Sequence, residues 1–321
     1  MAESQKIIIA HRGASGYLPE HTLEAVAVAH TMDAHYLEQD LVLSKDGVPL
    51  VLHDIYLDTV TDVARRFPGR KRRDSRFYAI DFTLAELKQL RVTERFNHQT
   101  GETVFKERFP KGHASFEIPT LEEELQLIQG LNQTRGKNAG VYPEIKAPAW
   151  HQAQGRDISR IVLDVLARYG YATKTDKIYL QCFDFAEVKR IRAELGYQGK
   201  LIQLLGEHGP DSAAIDHAVF KTRRDLEKVS KVADGIGPSI RLIVTDKRRG
   251  KLQITNLVKN AHDLGLEVHP YTFRADALPE YAASLEKMFR IFLVQLSVDG
   301  VFTDHPDRGV AFLRNQNEAK R

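Results

Sequence analysis

The chain has 321 residues, of which 42% are hydrophobic and 28% charged, and its formal net charge is +3. This composition is typical of a globular protein with a large core, and so small a net charge argues against a nucleic-acid partner. The single cysteine, Cys182, excludes an intrachain disulfide and a cysteine-based zinc site, and no apolar run is long enough for a transmembrane segment.

Eight short apolar runs recur along the chain, and most are followed by a stretch with helical periodicity. We predict strands at residues 6–10, 36–43, 140–145, 177–181, 200–205, 233–236, 266–271 and 300–303, with helices between them that include 22–31, 157–168, 185–195 and 254–264. Near-continuous apolar runs are typical of parallel strands buried on both faces, and eight of them alternating with helices favour an α/β fold of the (β/α)8 TIM-barrel type. An open doubly wound sheet is the alternative, although no glycine-rich dinucleotide fingerprint supports it.

Two features interrupt this alternation after the second strand. Asp46-Gly47 lies between two apolar runs, which is a strong hairpin signal. If these two residues form the loop, Asp40 lies opposite His53 with both side chains on one face. Residues 54–120 contain no obvious strand, and we predict an insertion on the C-terminal face of the barrel, helical around 83–90. We expect a single TIM-barrel domain over residues 1–321.

Charged residues and histidines occur at the ends of these strands, the face on which (β/α)8 enzymes carry their active sites. The first strand is followed by His11 and Arg12, the second carries Glu38 and Asp40, the hairpin ends at His53, and the third barrel strand carries Glu144 and Lys146. Three crowded carboxylates repel one another, and a hard divalent cation relieves that repulsion most directly. Pairing of each carboxylate with a rim arginine or lysine is the alternative.

Two histidines next to such a site suit general acid–base chemistry, because their pKa lies near neutrality. Arg12 and Lys146 are side chains that suit a phosphate group. Together these groups indicate cleavage of a phosphoryl ester. We interpret His269 as structural, and Gln181 and Asp304 as residues that orient their neighbours.

Several motifs occur in a fixed order: HRGASGYLPEHT at 11–22, YLEQD at 36–40, VLHD at 51–54, PEIK at 143–146, DGIG at 234–237 and FTD at 302–304. As a set, extending over about residues 6–312, they resemble the glycerophosphodiester phosphodiesterase family. YAIDF at 78–82 and YLQCFD at 179–184 resemble its bacterial periplasmic branch. His21 is also typical of that branch, since much of the family has asparagine there, and we assign it no catalytic role.

The resemblance implies metal-dependent hydrolysis of small glycerophosphodiesters to sn-glycerol 3-phosphate and an alcohol, within glycerol and lipid metabolism. The implied roles are His11 and His53 as the acid–base pair, Arg12 and Lys146 as phosphate contacts, and Glu38, Asp40 and Glu144 as ligands of one divalent cation. That cation is calcium in this branch, with magnesium as the alternative. The resemblance also implies a periplasmic mature form; a cytoplasmic protein is the alternative, and a homodimer stays open.

Two alternative functions make different demands on the sequence. A phospholipase C- or D-like lipid phosphodiesterase needs an exposed apolar rim, and the sequence offers no strongly amphipathic segment for one. A non-catalytic binding protein on the same barrel predicts loss of a histidine or a metal carboxylate, yet all five are present. Aromatic residues Phe183, Tyr271 and Phe273 suit packing or a substrate contact, and the arginine-rich run at 65–76 favours a solvated surface.

Overall fold

The computed structural model describes residues 6–206, 222–248 and 251–319. Its strands are β1 (Ile7–Ala10), β2 (Tyr36–Leu43), β3 (Pro49–Val51), β4 (Gly140–Ile145), β5 (Tyr179–Cys182), β6 (Lys200–Leu205), β7 (Gly235–Pro238), β8 (Val244–Arg248), β9 (Lys251–Ile254), β10 (Glu267–Val268) and β11 (Gly300–Thr303). Eight of them run parallel in the order β10-β7-β6-β5-β4-β2-β1-β11. The two ends of this sheet meet, since the amide of Phe273 donates to the carbonyl of Phe302 at 2.8 Å. The predicted TIM barrel is therefore confirmed, and each of the eight predicted runs overlaps one of its strands.

Helices follow most of the barrel strands. They are α1 (Leu23–Thr31), α2 (Val63–Arg66), α3 (Leu84–Leu87), α4 (Leu121–Arg135), α5 (Pro148–Ala153), α6 (Ile158–Arg168), α7 (Phe185–Ala193), α8 (Arg223–Val229), α9 (Ile240–Ile243), α10 (Leu257–His262), α11 (Leu285–Phe289) and α12 (Pro306–Ala319). Local sequence explains where several begin: at α4, the Thr120 side chain accepts from the Glu123 amide while the Glu123 carboxylate accepts from the Thr120 amide. No helix in the described ranges has the length and apolar character to cross a membrane.

The interior of the barrel is filled by a layer of large side chains. Its members come from six strands and are Ile9, Tyr36, Tyr142, Tyr179, Ile202 and Phe302. Tyr142 and Phe302 belong to strands that are not neighbours in the sheet, yet their ring centroids are 4.9 Å apart. This layer closes the barrel beneath its C-terminal end, and a larger apolar core surrounds the barrel between strands and helices.

The hairpin after β2 forms, but its predicted register is wrong by one residue. Leu41 pairs with Val51, and the amide of Leu52 donates to the carbonyl of Asp40 at 2.8 Å. Asp40 is therefore opposite Leu52, because the loop contains three residues, 45–47, and its last residue Gly47 takes a φ of +81°. His53 lies beyond the last paired residue, so the alternation of the strand no longer fixes its direction.

The insertion, residues 54–120, has no strand of its own and contains the helix predicted around 83–90 as α3. It builds an apolar cluster, with Leu57 and Phe82 among its members, against Leu50 and Leu52 of the hairpin. A single domain over residues 1–321 stays a prediction.

The arginine-rich run is exposed at Arg65, Arg66, Lys71 and Arg73, as predicted, whereas Arg72 and Arg76 pack within the insertion. Arg72 hydrogen-bonds both carboxylate oxygens of Asp81 at 2.7 Å, and Arg76 binds Asp58 at 2.8 Å. These arginines also lie over the rings of Tyr78 and Tyr56, respectively. They therefore contribute to the internal structure of the insertion, because guanidinium groups suit paired carboxylate oxygens and aromatic faces.

Candidate active site

The candidate site lies one layer above the interior side chains, at the C-terminal ends of the strands. Side chains alternate along a strand, so the residues two positions after the interior layer face the same way. That next layer consists of His11, Glu38, Glu144, Gln181, Leu204 and Asp304. A pocket of about 590 Å³ opens there, and all seven predicted site residues line it: His11, Arg12, Glu38, Asp40, His53, Glu144 and Lys146. The expected convergence of these residues is confirmed, including that of Asp40 and His53.

Each histidine of the pocket is held by a carboxylate on its Nδ1 atom. His11 Nδ1 donates to Asp304 Oδ1 at 2.7 Å, and His53 Nδ1 donates to Asp54 Oδ1 at 2.5 Å. A carboxylate at Nδ1 keeps the proton of the neutral ring on that nitrogen, so Nε2 becomes the atom that can accept a proton from a substrate. The predicted orienting role of Asp304 fits this contact.

The surroundings of both histidines favour the neutral imidazole. Burial and then the charge of Arg12 lower the pKa of His11 to about 4, although Asp304 acts in the opposite direction. Burial, Arg12 and Lys146 likewise lower the pKa of His53. A neutral imidazole is the form that accepts a proton, so either ring is suited to the role of the base.

The three carboxylates are buried and only partly compensated. Burial and the nearby Asp40 raise the pKa of Glu38 well above its ordinary value, and burial raises that of Glu144 to about 8. Burial also opposes ionisation of Asp40, but Lys146, His53 and Arg12 hold its pKa well below its ordinary value. Three carboxylates therefore share one pocket in which burial works against the ionised form of each, although Arg12, Lys146, Arg241 and Arg274 also line it.

A cluster of candidate metal ligands occurs at this point. Single ligand atoms of His21, Glu38 and Asp40 lie within 4.8 Å of one another, and all three residues are buried. Glu144, the third predicted ligand, instead pairs with Lys146 at 2.8 Å, although its Cα is in register with that of Asp40. Buried carboxylate oxygens grouped this closely are ligands that suit a hard divalent cation.

Arg12 owes its position to a turn at the end of β1. The backbone takes positive φ angles at Arg12 (58°) and Gly13 (78°), and the Arg12 amide donates to Glu38 Oε2 at 2.7 Å. A Cβ atom on Gly13 would lie 2.8 Å from the carbonyl carbon of Ala25, so only glycine fits there. The Arg12 side chain then extends to Glu20 at 3.0 Å and to Asp40 at 3.3 Å. The alternative to a metal site was that each carboxylate pairs with an arginine or a lysine. Such pairs are present at Arg12 and Lys146, next to the cluster of candidate metal ligands.

Other residues from the sequence analysis lie near the pocket or beneath it. His21 is not remote from the chemistry, since its Nε2 donates to Asp40 Oδ2 at 2.7 Å. His269 is hydrogen-bonded to Tyr142 at 2.9 Å beneath the site, which fits its structural interpretation. Phe183 and Tyr271 line the pocket, whereas Phe273 is buried against Phe289 and Phe292.

Sequence reasoning missed two arginines of the insertion. Arg95 donates to Asp54, and Arg108 donates to Asp304 at 2.6 Å. Neither residue belongs to a recognisable motif or to a strand end, so the sequence carried no signal for them.

The fold and the pocket together define an enzyme of the phosphodiesterase type, with histidines, carboxylates and cationic side chains around one cavity. The profile of the "Glycerophosphoryl diester phosphodiesterase family" matches residues 11–308. A glycerophosphodiester phosphodiesterase of Haemophilus influenzae is 46% identical over 97% of this chain and 91% of its own length. One from Treponema pallidum is 38% identical over 97% and 92%, respectively. The chain belongs to the glycerophosphodiester phosphodiesterase family and is a phosphoric diester hydrolase.

Solved structures agree on the fold. A Silicibacter pomeroyi structure named for the same activity superposes with a TM-score of 0.70 at 26% identity, covering 98% of this chain and 94% of the other. An Oleispira antarctica phosphodiesterase, solved in complex with the product sn-glycerol-3-phosphate, gives a TM-score of 0.62 at 20% identity and covers 97% of both chains. Family membership decides against a non-catalytic binding protein.

Proposed function

We propose that this enzyme hydrolyses soluble glycerophosphodiesters to sn-glycerol 3-phosphate and an alcohol, with His11 and His53 as its acid–base pair. The single observation that carries this proposal is the pair of Nδ1-bound carboxylates, Asp304 behind His11 and Asp54 behind His53. Both histidines line one pocket with the cations Arg12 and Lys146. The relative solved with sn-glycerol-3-phosphate supports the choice of product.

In this mechanism the two imidazole rings exchange protons with the reacting oxygens. One histidine removes the proton from the attacking hydroxyl group through Nε2. The other donates a proton from its Nε2 atom to the oxygen of the leaving alcohol, and the negative charge of the bound phosphodiester favours the protonated ring that this role needs. The fixed Nδ1 contacts of both rings keep their Nε2 atoms oriented toward a phosphate bound between them.

Arg12 and Lys146 bind the phosphate group in this proposal. Arg12 is held by Glu20 and Asp40, and Lys146 by Glu144 and Asp40, so both cations are positioned before substrate arrives. Preorganised positive charge stabilises the charge that develops on the phosphoryl oxygens, and little has to reorganise during the reaction.

We also propose that Glu38, Asp40 and Glu144 hold one divalent cation, with His21 next to Asp40. The burial of these carboxylates, which raises the pKa of Glu38 and of Glu144, and the tight grouping of ligand atoms support this assignment. When bound, the cation supplies further electrostatic stabilisation of the phosphoryl oxygens. Calcium as the cation and a periplasmic location are parts of the same proposal, supported by the resemblance of residues 78–82 and 179–184 to the periplasmic branch.

The test is hydrolysis of glycerophosphocholine by the purified protein, with sn-glycerol 3-phosphate measured by a coupled dehydrogenase assay. We expect His11→Gln and His53→Gln each to lose at least about a hundredfold in kcat, in line with the contribution of general acid–base groups. Chelation should abolish activity, and calcium should restore it better than magnesium. Full activity in either histidine variant overturns the acid–base assignment. Faster cleavage of intact phospholipid than of glycerophosphocholine overturns the substrate assignment.

A further inference from the structure

The two carboxylates that hold the histidines are themselves bound by arginines of the insertion. Arg108 Nη2 donates to Asp304 Oδ2 at 2.6 Å, and Arg95 Nη1 donates to Asp54 Oδ2 at 2.7 Å. In each pair the arginine binds Oδ2, while Oδ1 accepts from the histidine. The same arrangement therefore occurs twice, once behind each histidine.

Arg108 connects the insertion to the last segment of the barrel. Its guanidinium group also binds Asp276 at 2.7 Å and 3.1 Å, and lies 3.6 Å from the ring centroid of Phe105. Only 4% of its side chain is exposed. So many contacts hold this buried guanidinium in place. Arg274 Nε also donates to Asp304 Oδ2, at 2.8 Å, so Arg108 and Arg274 together position Asp304, which is 1% exposed.

Arg95 reaches two groups of the pocket at once. Besides Asp54, it binds both carboxylate oxygens of Glu20, at 2.6 Å and 3.0 Å. Glu20 in turn accepts from Arg12 at 3.0 Å. Through Asp54 and Glu20, Arg95 therefore supports both His53 and Arg12, the arginine proposed to bind phosphate. Thr59 of the insertion also donates to Asp54, at 2.6 Å.

We propose that Arg95 and Arg108 are positioning residues for the phosphodiesterase reaction, and that the insertion is thereby part of the acid–base machinery. The inference rests on the proposed roles of His11 and His53. Each arginine binds the outer oxygen of its aspartate and helps to keep the carboxylate ionised, in the case of Asp304 together with Arg274, so the inner oxygen accepts the Nδ1 proton. The neutral ring then presents Nε2 to the substrate. Partners in this outer layer commonly change activity about tenfold to a hundredfold when they are removed.

The experiment compares Arg95→Lys and Arg108→Lys with the matched control Arg76→Lys. Arg76 also belongs to the insertion, also binds an aspartate with two nitrogen atoms, and has the same 16% exposure of its side chain as Arg95. Its partner Asp58 contacts no residue of the pocket among the hydrogen bonds described. The control therefore reports the cost of losing an arginine fork in this segment, without any effect on the histidines.

We expect kcat for glycerophosphocholine to fall about tenfold to a hundredfold in the two test variants, with KM changed about threefold or less in Arg108→Lys. Arg95→Lys should raise KM further, because Glu20 and Arg12 lose their support. Arg108→Ala should be worse than Arg108→Lys, since lysine keeps a charge near Asp304. Its profile of kcat/KM against pH should also shift to higher pH, because loss of the cation favours the imidazolium form. Thermal melting verifies that each variant is folded.

The outcomes separate this inference from the proposed function. If His11→Gln and His53→Gln retain activity, the proposed function itself fails. If those variants are inactive but Arg95→Lys and Arg108→Lys match Arg76→Lys in kcat and pH profile, only the positioning role is overturned. If Arg108→Ala does not fold, Asp276→Asn gives a second measurement, since it loosens Arg108 and leaves Asp304 intact. A kcat equal to wild type in that variant also counts against the inference.

Discussion

The side chains of His11 and Asp304 are 2.7 Å apart although 293 residues separate them in the chain. They meet because β1 and β11 are neighbours in the closed barrel, in register from Ile7 and Gly300 to Ala10 and Thr303. Each strand is followed directly by its site residue. Closure of the barrel therefore assembles one histidine–carboxylate pair, whereas His53 and Asp54 form the second as neighbours in sequence.

This pair leads to a first prediction, for Asp304→Asn. An asparagine amide can donate to Nδ1 and so favour the tautomer with its proton on Nε2, which removes the acceptor that faces the substrate. We expect kcat to fall at least about tenfold with the fold retained. Steady-state kinetics and thermal melting measure both effects. Asp307→Asn is the control, because this nearby carboxylate binds Tyr17 and not a histidine. Equal activity in the two variants contradicts the role of Asp304.

A second prediction concerns the cation. Glu38→Gln removes a charge from the tight cluster of ligand atoms, and we expect the affinity for calcium to fall at least about tenfold. Calorimetric titration of the metal-stripped protein measures this without any assay of activity. Glu24→Gln, on the exposed face of α1, should bind calcium as wild type does. Unchanged calcium affinity in the Glu38 variant would remove this residue from the ligand set.

Much of the site was predictable because its residues obey a simple alternation. Tyr36 and Glu38 share a face of β2, Tyr142 and Glu144 share one of β4, and both pairs follow from strand periodicity alone. The register of the hairpin was not predictable in this way. Asp-Gly occurs in two-residue and in three-residue hairpin loops. Which loop length forms depends on how residues 45–47 pack against neighbouring chain segments.

The two arginines that bind the carboxylates behind the histidines could not be predicted from the sequence, for a different reason. The insertion has few regular elements, so no periodicity relates Arg95 or Arg108 to the barrel. Their positions depend on tertiary packing, in which Leu57 and Phe82 anchor the insertion on the hairpin. The same applies to Arg72, since nothing local in the sequence predicts its pairing with Asp81.

A third prediction uses Glu124, which lies on α4 outside the barrel. Its Oε1 accepts from Gln39 at 2.8 Å, its Oε2 has no hydrogen-bond partner in the described structure, and burial raises its pKa to about 8. The stability that the protonated form provides is fully present below the unfolded pKa of 4.5. It is lost as pH rises through about 8, at no more than about 1.4 kcal/mol per pH unit.

Glu124→Gln replaces the protonated acid with a neutral group of the same shape. We therefore expect the melting temperature of the variant to exceed that of wild type at pH 8 by more than it does at pH 5. Glu122→Gln, on the same helix and paired with Arg168 at the surface, should show no such pH dependence. A difference in melting temperature from wild type that is the same at pH 5 and at pH 8 would mean that the pKa of Glu124 is not raised in the folded protein.

A last prediction addresses the turn that places Arg12. Gly13→Ala meets two costs: a side chain at a φ of +78°, and a Cβ atom 2.8 Å from the carbonyl carbon of Ala25. Gly170→Ala meets only the first, because φ is +81° there and no atom lies within 4 Å of the added carbon. We expect the control to lose about 1 kcal/mol of unfolding free energy and Gly13→Ala to lose about 2 kcal/mol or more. Denaturant titration measures both losses of unfolding free energy.

Movement of the turn should also weaken the hydrogen bond from the Arg12 amide to Glu38, so kcat should fall in Gly13→Ala and not in Gly170→Ala. Equal stability and activity in the two variants would show that the close approach to α1 does not constrain this turn.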